Sequence, residues 1–103
     1  IPMISFPSDE RPVGKWGRMH KRYLEENKPG LYSLLLIQGK LGTYLADLNE
    51  QAEERLNVII SHMMRSEGIT ENLKATDQMQ WVRRMNSIRQ RAEEVVMAEM
   101  IYA

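Results

Sequence analysis

The chain has 103 residues, enough for one domain with a real core and too few for two. Its 14 basic and 14 acidic residues cancel, which excludes a global field toward nucleic acid or an anionic membrane and leaves any such attraction to local charge placement. The lack of cysteine excludes disulfides, thiolate metal sites and cysteine nucleophiles.

Pro2, Pro7 and Pro12 fix backbone angles and remove amide donors, so residues 1–13 read as an extended arm ahead of a single helical domain, 14–103. The arm has neither a basic start nor an apolar signal core, and the longest apolar run, Leu34 to Ile37, is far too short for a bilayer. A cytoplasmic protein with no membrane association is expected. After Gly14, the residues Trp16, Met19, Tyr23 and Leu24 fall at helical spacing, and Asn27-Lys28-Pro29-Gly30 ends that first helix. Leu31, Leu34, Leu35 and Gln38 form a short second helix, with Pro29 tolerated in its first turn and a break or bend at Gly39 and Gly42.

From Leu41 an apolar stripe continues through Leu45, Leu48, Ala52, Leu56, Ile59 and Met63, a helix of roughly 40 Å. Gly68 supplies its C-terminal cap, Thr70 opens a short helical turn, and Thr76 or Asp77 caps the last helix. That helix turns Trp81, Met85, Ile88, Ala92, Val95, Val96 and Met100 inward. Nothing reads as a strand. The expectation is all-α: a compact bundle of four to five helices with an extended Pro-rich N-terminal arm, in which residues 41–66 and 77–101 are long antiparallel partners.

The stretch Val13-Gly14-Lys15-Trp16-Gly17-Arg18-Met19 carries a Gly-x-x-Gly spacing beside basic residues. A nucleic-acid clamp of that kind needs a sheet behind its helices, and none is expected here. Gly14 is better read as a helix start and Gly17 as a point of close backbone approach or a bend. The same residues carry a resemblance. Residues 12 to 103, in particular the Gly-Lys-aromatic-Gly-Arg-Met opening, Leu73 to Ala75, Trp81 to Asn86 and the Ile-Tyr-Ala end, look like the transposon-encoded TnpV-like family of small bacterial proteins. The resemblance implies a bacterial mobile genetic element and carries no reaction with it.

Catalysis would need a nucleophile beside a base, and the candidate bases are His20 and His62. His20 lies among Arg18, Lys21 and Arg22, and His62 flanks the long stripe near Arg55 and Tyr44. Both read as surface or edge-of-core residues. Asp47, Glu50 and Glu54 read as a solvated acidic face, since His62 lacks the glutamate three residues earlier that a bundle metal site uses. A non-enzyme without metal or cofactor is therefore expected. Met64, Met79 and Met97 lie off the inner stripes and would form an adaptable binding surface if exposed together.

Among the cations, Arg89 with Glu93, Arg91 with Glu94, Lys21 with Glu25 and Arg22 with Glu26 read as local helix pairs, and Arg89 as a tie to a neighbouring helix. Lys15, Arg18, Arg83 and Arg84 have no acid at helical spacing, and Gln80, Arg84, Ser87 and Arg91 share one polar face. These seven, Lys15, Arg18, Gln80, Arg83, Arg84, Ser87 and Arg91, are the candidate partner- or phosphate-binding residues. Three functions compete: an interaction protein docking on transposition machinery or inhibiting a host defence nuclease of the CRISPR kind; a direct DNA-binding accessory protein; and a self-assembling structural protein.

Overall fold

A computed structural model describes residues 11–102. Five α-helices follow one another: α1 (Gly14–Asn27), α2 (Pro29–Ile37), α3 (Leu41–Ser66), α4 (Glu71–Thr76) and α5 (Gln78–Val96), which passes into a π-helical turn over Met97–Ile101. No strand occurs among the described residues, so the all-α expectation holds. The arm expected over residues 1–13 lies, for residues 1–10, outside the described residues.

Each boundary has a local cause. Gly39 and Gly68 adopt φ of 68° and 69°, the left-handed conformation that closes a helix and that glycine enters without penalty. Gly42, by contrast, sits inside the first turn of α3 and breaks nothing. The Thr70 hydroxyl accepts from the Leu73 amide at 3.3 Å, and the Asp77 carboxylate accepts from the Gln80 amide at 3.1 Å. Both side chains thus satisfy amides that a helix start leaves without an internal partner.

The core follows from the stripes. Trp16 of α1 packs with Ala52, Leu56 and Ile59 of α3, Ala92 and Val96 of α5, and Ile101 of the π turn. Ion pairs between helices give the directions: Arg55 meets Glu99, and Glu67, just past α3, meets Arg91, so α3 and α5 run antiparallel. Asn49 meets the start of α1 and Tyr44 its middle, so α1 is antiparallel to α3 as well.

The molecule is drawn out rather than compact. Its radius of gyration is 18.2 Å, against about 13 Å for a compact domain of this length. The register explains the difference. With Arg91 opposite Glu67, most of the first half of α5 runs past the end of α3 and is backed mainly by short α4. At the opposite end α2 buries no side chain fully. No helix among the described residues is long and apolar enough to cross a membrane.

Candidate functional site

The glycine-rich opening is a structural joint. Gly14 adopts φ of 71°, and a Cβ there would lie 2.5 Å from the Asn49 amide atoms. Asn49, buried on α3, accepts with Oδ1 from the backbone amides of Trp16 at 3.1 Å and Gly17 at 3.4 Å. It therefore caps α1 from a neighbouring helix, since Val13 offers no side-chain cap. A Cβ on Gly17 would meet the Leu45 carbonyl oxygen at 3.0 Å and Val13 Cγ1 at 2.5 Å. Both glycines thus serve the close approach of α1 to α3.

His20 is also structural, and buried rather than superficial. Its Nδ1 lies 2.8 Å from the Ile101 carbonyl oxygen, which accepts only, so Nδ1 carries the proton. In the neutral ring Nε2 then accepts from the Tyr44 hydroxyl at 3.2 Å. One imidazole ties α1 to α3 and to the end of the chain. His62 lines an open depression of about 400 Å³ with Arg55, Val58, Ile59, Met63, Arg65 and Val95. Arg55 is a neighbour as expected, whereas Tyr44 stands with His20 instead. Among the described residues no three His, Asp or Glu side chains are arranged to hold a metal.

Two of the candidate cations are not free. Lys15 forms an ion pair with Glu93 of α5 and lies 4.9 Å from the Trp16 ring centroid. Arg91 holds Glu67 in a two-pronged contact, 2.7 and 3.1 Å, and donates from Nε to the Ser87 carbonyl at 3.3 Å. Hydrogen bonding from Arg91, followed by the charges of Arg91 and Arg84, lowers the Glu67 pKa from its ordinary 4.5 against the opposing effect of desolvation. Glu93 and Arg91 are thus engaged between helices, not within α5 as helical spacing suggested. Arg22 does meet Glu26, at 3.5 Å. Arg89 makes no tie to a neighbouring helix among the described residues.

Apart from Arg18 on α1, what remains lies on the first half of α5. With its amide nitrogen turned toward Asp77, Gln80 donates to Oδ2 at 3.2 Å and accepts from Nε and Nη2 of Arg84, each at 3.2 Å. The capping carboxylate thereby positions the Arg84 fork through Gln80. One helical face away, Met79, Val82 and Arg83 stand at i, i+3 and i+4. With Gln78 they line an open depression of about 330 Å³. Met79 is 74% exposed and Val82 41%, while Arg83, like Arg18 on α1, is exposed and meets no carboxylate among the described residues. Val82, which sequence reasoning does not single out, lies off the inward stripe of the last helix and is exposed beside Met79. The three off-stripe methionines do not form one surface: Met64 and Met97 are half-buried, and Met97 packs on the core.

Beneath this face Trp81 is half-buried, with Lys74 of α4 4.9 Å from its ring centroid. Its indole nitrogen is enclosed and makes no hydrogen bond among the described residues.

No curated protein and no solved structure shows detectable similarity to the chain. The family described as transposon-encoded protein TnpV matches residues 1–101, nearly the whole length. The chain therefore belongs to the TnpV family of transposon-encoded proteins.

Proposed function

We propose that this chain is a non-enzymatic interaction protein of a mobile element, which docks the exposed face of the first half of α5 onto a protein target. The observation that carries the reading is the combination on that face: Met79 and Val82 exposed beside Arg83, with Arg84 positioned on the adjoining face. Methionine and arginine are enriched at protein interfaces, and the exposed Val82 beside them adds apolar area for a partner to cover. The target is a protein with an acidic rim around an apolar patch, either a component of the element's transposition machinery or a host defence nuclease that threatens the element.

Direct DNA binding is the weaker reading. Phosphate contacts need cations in excess, and the ion pairs of Lys15 and Arg91 withdraw two of those expected to serve. The test is capture of a discrete partner from nuclease-treated bacterial lysate, followed by a cleavage or transposition assay with that partner. The expected result is retention by the native chain and loss by the Val82→Asp/Arg83→Glu variant. Binding that vanishes on nuclease treatment, or that ignores both substitutions, would reject the proposal.

A further inference from the structure

α2 is the one helix of eight or more described residues that buries no side chain fully. Its composition, Pro-Gly-Leu-Tyr-Ser-Leu-Leu-Leu-Ile, is apolar almost all round, a pattern that belongs to a covered helix. Tyr32 and Leu35 are half-buried and face the body of the molecule, whereas Leu31, Leu34, Leu36 and Ile37 are exposed, Ile37 at 83%. The outermost line, Gly30, Ser33, Leu34 and Ile37, follows the i, i+3, i+4, i+7 spacing with which one helix receives another. A Cβ on Gly30 would meet nothing within 4 Å. Nothing inside the chain requires a glycine there, although glycine disfavours a helix relative to alanine. Gly30 and Ser33 leave room on the outer face for a second backbone to come close.

We propose that this face is covered by α2 of a second copy of the chain, in an antiparallel two-fold pair. Such a pair is self-complementary, so each copy's Leu34 and Ile37 pack beside the other's Gly30 and Ser33. Antiparallel packing also sets the positive end of each helix dipole beside the negative end of the other. The flanking charges agree. Lys40, just past α2, is exposed and meets no carboxylate among the described residues, and Glu25, near the end of α1 and four residues before α2, accepts a hydrogen bond from the Tyr32 hydroxyl. Antiparallel pairing brings Lys40 of each copy to the end of the helix where Glu25 of the other stands, the Lys28 ammonium at that end lying 5.9 Å from the Tyr23 ring centroid. Charges of both signs around the face, Glu25, Glu26, Lys28 and Lys40, provide no net attraction to an anionic bilayer. Because α2 and the first half of α5 lie beyond opposite ends of α3, the pair would leave both α5 faces free.

Sedimentation of the full chain from micromolar to millimolar concentration tests the proposal. A reversible dimer is expected. Ile37→Glu, on an exposed side chain, should leave the helical circular dichroism unchanged and raise the dimer dissociation constant by about a hundredfold, because each copy would bury an unpaired charge. Lys40→Glu and Glu25→Lys should each weaken the dimer by about tenfold, and the two together should restore it. A monomer at every concentration overturns the proposal, as does a dimer indifferent to Ile37→Glu or a charge exchange that restores nothing.

Discussion

Asn49 spans two helices with a single oxygen, and its removal would leave the Trp16 and Gly17 amides buried without an acceptor. Asn49→Ala should therefore lower stability by about 1–3 kcal/mol in urea unfolding, while Asn49→Asp should stay closer to the native value. Aspartate keeps the acceptor and adds a negative charge at a helix start. Gly14→Ala should cost about 1–2 kcal/mol from its left-handed backbone alone, and more because its Cβ would strike Asn49. In the Asn49→Ala background that collision is relieved, so a double-mutant cycle should show the two substitutions costing less together than separately. At Glu67 the folded pKa lies below the ordinary 4.5. Its contribution to stability is therefore complete above the ordinary value and is lost as pH falls through the folded one. Glu67→Gln should accordingly flatten the acid side of the stability profile followed by thermal unfolding between neutral pH and pH about 3.

At the scale of elements, what could be read in advance was what is local. The caps at Thr70 and Asp77, the stops at Gly39 and Gly68, and the stripe from Leu41 to Met63 all depend on residues within a turn or two of one another. Trp16 and Ile88 could be assigned to the core because the helical period places them there. The ion pairs could not. Glu93 lies 78 residues from Lys15 and Glu67 lies 24 from Arg91, so spacing along α5 proposed nearer partners that the packing overrules. The burial of His20 is equally invisible to spacing, since Ile101 and Tyr44 reach it through the fold. Helical pattern fixes which face turns inward but not how far one helix overlaps another, so the partial burial of Trp81 and Met85 and the exposure of α2 are not legible in it. On α5 the exposure of Val82 and Arg83 predicts tolerance. Val82→Asp and Arg83→Glu should each change the unfolding free energy by no more than about 0.5 kcal/mol, as surface substitutions do, and unfolding curves superimposable on the native one would bear this out.

The whole molecule, 62 by 31 by 18 Å along its principal axes, holds its core where α1, α3, α5 and the π turn meet. Most of its exposed large apolar groups lie toward the two ends, α2 at one and Met79 with Val82 at the other, with Val58 exposed on the middle of α3. A rod with a packed middle and unsatisfied ends suits a protein that joins other molecules, and that is the central claim for this member of the TnpV family. The most direct measurement is affinity capture from nuclease-treated host lysate by the native chain and by the folded Val82→Asp/Arg83→Glu variant, with bound proteins identified by mass spectrometry. A discrete protein partner should be retained by the native chain and lost from the variant. Equal capture by both, or no partner once nucleic acid is removed, would contradict it.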